Sequence, residues 1–197
     1  MSTFGLSASP EEAKGTLLDT ADRQAEWIRR TFIDQTRRLV EQGFPDIAFL
    51  VIGQGIETMG AFLDRKPFRA KGQSRERFSR ALSELFPPRY AQLNGRDFLY
   101  RNLRSSLTHL AVGSPHLWLV AGDTPGKHLW VEDKKTTLVL ERLLEDYCAG
   151  WETIIARLTG GTLRVKPLAA PRGSDAVTGS ASRPPPEIGG TSGHEKE

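Results

Sequence analysis

The stretch Gly95-Arg96-Asp97-Phe98-Leu99-Tyr100-Arg101-Asn102-Leu103-Arg104-Ser105-Ser106-Leu107-Thr108-His109-Leu110-Ala111 decides how this chain is read. Leu99, Leu103, Leu107 and Leu110 recur at spacings of four, four and three, which draws one apolar stripe along a helix. Asn102, Ser105, Ser106 and His109 fall at i, i+3, i+4 and i+7 and make a second, polar face flanked by Arg101 and Arg104. A solvated helix face normally carries Glu and Lys, which are better helix formers than Ser or Asn. Local propensity is given up here, and either chemistry or close helix packing would account for that.

The chain on either side supplies a helical frame. Ser9-Pro10-Glu11-Glu12 predicts a helix start, with Ser9 as N-cap, proline at the first helical position and acids facing the positive end of the dipole. The amphipathic pattern then runs to a stop at Gly43. Phe44-Pro45-Asp46 restarts the chain, and Ile47 to Asp64 is apolar on most sides, as a helix buried between others would be. Gly53, Gly55 and Gly60 each cost roughly 1 kcal/mol against alanine there, so close approach of neighbouring helices is the expected compensation. Glu57 is the only acid in the middle of that segment.

Ser74 is placed to cap a short helix through Phe86, which Pro87-Pro88 closes, and Tyr90 and Leu93 fall in a connector ending at the Asn94-Gly95 turn. After Gly113-Ser114-Pro115 the period changes to two. His116-Leu117-Trp118-Leu119-Val120 and His128-Leu129-Trp130-Val131-Glu132 flank turn formers at 122–126, which predicts a β-hairpin over about 116–132. In it His116 and His128 are edge-strand polar residues, and Trp118 and Trp130 cover the core. Helical spacing returns from Thr136 to Leu158 and stops at Gly160-Gly161, and Cys148 is a small buried residue of that helix. From Thr162 the composition collapses to Pro, Gly, Ser and Thr, which predicts disorder. The expected fold is all-α: an up-and-down bundle of four principal helices over 1–161, a short β-hairpin inserted before the last, and a disordered tail over 162–197.

At 197 residues the chain can bury one ordinary core without a covalent staple. The single cysteine, Cys148, excludes an intrachain disulfide framework and any multi-cysteine metal site, and a reducing, cytoplasmic compartment is expected. No secretory signal is read at the N-terminus, and no apolar stretch is read as approaching the ~20 residues of a membrane span. No metal or cofactor is expected. The formal charge is only +3, but between Arg65 and Arg104 eleven Lys or Arg stand against three acids. Arg65, Lys66, Arg69, Lys71, Arg75 and Arg77 are the candidates for contacting RNA phosphates, with a solvated basic face as the plain alternative.

Arg104-Ser105-Ser106-Leu107-Thr108-His109 resembles the R-x4-6-H signature of the HEPN superfamily (higher eukaryotes and prokaryotes nucleotide-binding), and Leu99 to His109 is similar to the form seen in its bacterial members. Ile56-Glu57-Thr58-Met59-Gly60 and Glu145-Asp146-Tyr147 add to the resemblance, which covers roughly residues 10–160. It implies a helical domain that pairs with itself and, in active members, a metal-independent endoribonuclease of toxin–antitoxin or phage-defence systems, with a cognate antitoxin or other protein as a further partner. On that reading His109 does acid–base work and Arg104 holds the phosphate, with Arg101, Asn102, Ser105 and Glu57 in support. On a regular helix Arg104 and His109 stand about 140° apart, and a second copy across a dimer axis would bring one to the other. The alternative is a non-catalytic module of the same kind that binds RNA, a nucleotide or a protein, with Arg104 paired to an acid such as Glu57.

Overall fold

Proline at the head of a helix marks two of the elements that build this fold, because its missing N–H lies where no intrahelical partner exists. The computed structural model describes residues 17–107, 114–122, 124 and 126–169. In chain order these form β1 (Leu17–Leu18), α1 (21–41), α2 (Pro45–Leu63), α3 (Ser74–Leu85), α4 (Pro88–Leu93), α5 (98–107), β2 (Leu117–Val120), β3 (Trp130–Glu132), β4 (Lys135–Val139), α6 (Leu140–Thr159) and β5 (Leu168–Ala169). The described chain is mostly helical with a small three-stranded sheet.

The helix start expected at Ser9 lies outside the described residues, but the helix expected to run from there to Gly43 is not continuous: Leu17–Leu18 is strand β1 and Thr20 has extended backbone (φ −119°, ψ 157°). The described helix α1 opens at Ala21, where the Thr20 hydroxyl accepts from the Arg23 N–H at 3.3 Å, and ends ahead of Gly43 at φ +78°. Its middle, Arg29–Asp34, is a π segment. α2 starts on Pro45 and is the central helix, packed by α1, α3, α5 and α6. At 19 residues it is long and apolar enough to cross a membrane by length and composition, which corrects the reading that no stretch approaches that size. Burial against four helices accounts for the apolarity without a bilayer. At the centre of the core Trp151 of α6 is fully buried and stacks on Phe32 of α1 at 4.4 Å.

Four further boundaries differ from the expected ones. Gln73, not Ser74, is the N-cap residue of α3. Pro87-Pro88 closes α3 and also opens α4, so Tyr90 is a buried helical residue and not part of a connector. Residues 135–139 are strand, and α6 begins only at Leu140. Residues 162–168 are tied to the body: Lys166 Nζ donates to the Ala61 carbonyl at 2.5 Å and to Asp64 Oδ1 at 2.9 Å, and the buried Gln24 amide donates to the Lys166 carbonyl at 2.7 Å. The rest of the expected tail, from residue 170, lies outside the described residues.

The expected hairpin is replaced by a different pairing. The strands at 117–120 and 130–132 do not pair with each other; both pair with β4, in the order β2-β4-β3, parallel on the first side and antiparallel on the second. The hairpin is β3–β4, closed over Asp133 and Lys134 at φ +47° and +62°, which has the left-handed backbone of the tightest two-residue turns. Trp118 and Trp130 both stand opposite Thr137 and are 53% and 56% exposed, so they do not cover the core. The Lys135 ammonium lies 4.5 Å from the Trp118 ring centroid.

Candidate functional site

The site is built on one face of α2. Gly53, Glu57 and Gly60 recur at i, i+4 and i+7, so they share a stripe. A Cβ on Gly53 would lie 3.3 Å from the Arg104 Cα, and one on Gly60 would lie 2.0 Å from the Arg77 carbonyl oxygen. The two glycines are notches that seat α5 and α3, and Gly55, on the other side, makes room for the Tyr147 hydroxyl. Close approach is what the three glycines were expected to provide.

Between the notches Glu57 reaches Arg104. The pair is 2.6 Å apart, with the side chains 18% and 14% exposed. The guanidinium also lies 6.0 Å from the Tyr100 ring centroid. Arg104 sits in a π segment, Tyr100–Ser105, so the polar face of this helix is not that of a regular one. Ser106 Oγ donates to the Arg101 carbonyl five residues back at 2.9 Å. The Asn102 amide donates to the Phe98 carbonyl at 2.7 Å, and its oxygen accepts from the Ser114 hydroxyl at 2.5 Å. Arg101 is exposed and Ser105 half-buried. His109 lies outside the described residues, so its position relative to Arg104 is not described.

Arg77 is removed from the set of RNA-contacting candidates. It is buried, and its guanidinium donates to Asp64 Oδ2 at 2.6 Å, the Phe68 carbonyl at 2.7 Å and the Pro67 carbonyl at 2.8 Å. Burial alone would raise the Asp64 carboxyl, but hydrogen bonds and charge from Arg77 and Lys166 outweigh it and hold the group below its ordinary range. Arg65, Lys66, Arg69, Lys71 and Arg75 are exposed. Arg65 and Lys66 border a cavity with Arg77 and Arg80; Arg69, Lys71 and Arg75 do not line it, and Arg75 faces Asp97 at 3.4 Å on the surface.

One polar cluster was not read from the sequence. The buried Tyr90 hydroxyl donates to Asp146 Oδ2 at 2.7 Å and lies 2.8 Å from His128 Nε2, and the Val139 N–H donates to His128 Nδ1 at 3.1 Å. With Nδ1 accepting, the ring proton sits on Nε2 and points at the Tyr90 oxygen. His128 is therefore not an edge-strand residue; it faces inward and joins the sheet to α4 and α6. Burial pushes its pKa below the ordinary value although Asp146 favours the cation, and burial with the Asp146 charge raises that of Tyr90. No local signal announces this cluster, because its members lie 38 and 18 residues apart in sequence.

Among the described residues no group of three or more His, Cys, Asp or Glu is placed to hold a metal ion. No protein-family model, curated protein or solved structure matches the chain. The HEPN resemblance thus rests on the motif residues alone.

Proposed function

We propose that this chain is a HEPN-like RNA-binding module, an up-and-down bundle of four principal helices that pairs with a second copy of itself. The observation that carries the reading is where its cations go. Arg77 and Arg104 each face a largely buried acid, Asp64 and Glu57, while Arg65, Lys66, Arg69 and Lys71 lie exposed on the turn between α2 and α3. Packing consumes the first pair and leaves the exposed run for an anionic partner. Phosphate neutralisation releases counterions, so affinity for single-stranded RNA should fall with salt, with a log–log slope of about −0.7 per phosphate contacted. Replacing Arg69 and Lys71 by Gln should weaken binding across all sequences and flatten that slope. RNA affinity that ignores both salt and these substitutions would remove the reading.

A second reading, a metal-independent endoribonuclease working as a homodimer in a toxin–antitoxin or phage-defence setting, is favoured by the π segment that carries Arg104, since π turns inside helices recur at functional sites. In it His109 moves the protons, Arg104 holds the phosphorane, and Arg101, Asn102 and Ser105 assist. It requires RNA cleavage that persists in EDTA and disappears in His109→Ala with the fold intact. Cleavage unchanged in that variant would eliminate it.

A further inference from the structure

Where α2 ends and α3 begins, Leu63, Asp64, Arg65, Lys66, Gln73, Glu76, Arg77 and Arg80 enclose a cavity of about 350 Å³. Its inner wall has an unusual charge count. The Asp64 carboxylate accepts from Arg77 Nε at 2.6 Å and from Lys166 Nζ at 2.9 Å, with side-chain exposures of 10%, 6% and 13%. One buried carboxylate thus answers two buried cations. Backbone carbonyls of Ala61, Lys66, Pro67 and Phe68 accept further bonds from the two cations, but carbonyls bring no countercharge. The surplus positive charge lies where the dielectric is low; Asp64 and Arg77 of this trio line the cavity, and Lys166, bonded to Asp64, does not.

The outer wall adds more of the same sign. Arg65 and Lys66 are exposed at the rim, and the Lys66 ammonium contacts the Gln73 side-chain oxygen. Arg80 lies 3.6 Å from Glu76 in a surface i,i+4 pair, a contact weak enough to be exchanged for a better anion. Glu76 is the only acid of the lining besides Asp64. The first turn of α3 forms one side, and its N-cap Gln73 makes no side-chain capping bond.

We propose that this cavity binds a phosphate monoester of nucleotide size, with Arg65, Lys66 and Arg80 as donors and the doubly countered Asp64 as its electropositive floor. A phosphate monoester matches the forked donors of arginine and the point charge of lysine. The cavity is larger than inorganic phosphate needs and lies within the range of small-ligand pockets, which leaves space for a sugar or nucleoside. The inference uses part of the basic run invoked above but needs no polynucleotide. The monoester can be the 5′ end of an RNA or a free nucleotide.

Calorimetric titration of the full chain separates these. The probes are AMP, adenosine, and one oligoribonucleotide with and without its 5′-phosphate. AMP is expected to bind and adenosine not, and AMP affinity should fall at least about tenfold in Arg65→Gln and in Arg80→Gln. Arg89→Gln, an exposed residue outside the lining, should change nothing. If AMP does not bind but the 5′-phosphate strengthens RNA binding, and Arg80→Gln abolishes that gain, the monoester is an RNA end. Equal binding of the two oligonucleotides with no AMP binding overturns the cavity while leaving the RNA reading intact. AMP binding with unchanged affinity in both arginine variants also overturns it.

Discussion

Glu57 and Arg104 meet at 2.6 Å across the packing of α2 on α5, one turn of helix from the Gly53 notch that lets the two backbones approach. A charge pair this far from water costs desolvation that its mutual attraction only partly offsets, so removing one partner is much worse than removing both. Glu57→Ala should therefore destabilise the chain by about 3 kcal/mol in urea unfolding, while Glu57→Leu combined with Arg104→Met should recover most of that. A loss under about 1 kcal/mol in the single variant would mean that the pair behaves like a surface one. If the double variant folds and still binds RNA, Arg104 acts in packing and not in recognition.

The two notches on α2 are not equally tight. At Gly60 a new Cβ would meet the Arg77 backbone at 2.0 Å, and backbone cannot swing away as a side-chain tip can. At Gly53 the nearest atom is 3.3 Å off, which asks for a shift of a few tenths of an ångström. Both substitutions to alanine gain roughly 1 kcal/mol of helix propensity. Gly53→Ala should accordingly melt within a few degrees of the parent, whereas Gly60→Ala should lose about 2–3 kcal/mol net as α3 is pushed off. Thermal melts of the two variants compare them directly, and equal melting temperatures would show that α3 moves freely over α2.

Much of the helical frame was legible because its signals are local. The glycines of α2 stand out in a helical pattern that penalises them, and Glu57, as the only acid in mid-segment, was readable as a partner for Arg104. The sheet was not legible for the opposite reason. Gly122 and Gly126 advertise a turn between the tryptophan strands, yet the tight hairpin closes on Asp133-Lys134, two residues with a side-chain penalty for positive φ. Leu138 and Leu140 stand at strand spacing, but Leu140 also opens the helical run through Leu143, Leu144 and Tyr147, so β4 was absorbed into α6. Lys166 sits in a segment whose composition reads as disorder, and one buried ammonium leaves no trace in composition. Tyr90, His128 and Asp146 come from three separate elements, so only the tertiary structure places them together.

Lys166 offers a test of that boundary. Its ammonium donates to the Ala61 and Lys66 carbonyls and to Asp64 Oδ1, at 2.5, 3.0 and 2.9 Å. Lys166→Met keeps the apolar stem and removes the donors, leaving two carbonyls without this partner; Arg77 still answers Asp64. The expected cost is about 2 kcal/mol, read from the urea midpoint. An unchanged midpoint would return residues after 161 to the status of a dispensable tail.

Stability should also depend on pH in two separate windows. Burial holds His128 below its ordinary value of 6.5, with Arg142 acting in the same direction and the Asp146 and Glu145 charges opposing. The unfolded chain thus takes up this proton first as pH falls. Where the unfolded state binds more protons, stability rises with pH. The His128 contribution is therefore complete above about pH 7 and is lost as pH falls below the unfolded value, with a slope of at most about 1.4 kcal/mol per pH unit. Protonation at Nδ1 also breaks the acceptor that the Val139 N–H uses where β4 passes into α6. Asp64 has its folded value depressed, so its contribution is present above the unfolded carboxylate value near 3.9 and is lost only as pH falls further. Urea unfolding between pH 3 and 8 should show both declines, and His128→Gln should flatten the one near pH 6 while leaving the acid one in place. A decline near pH 6 that survives in His128→Gln would assign that window to another group.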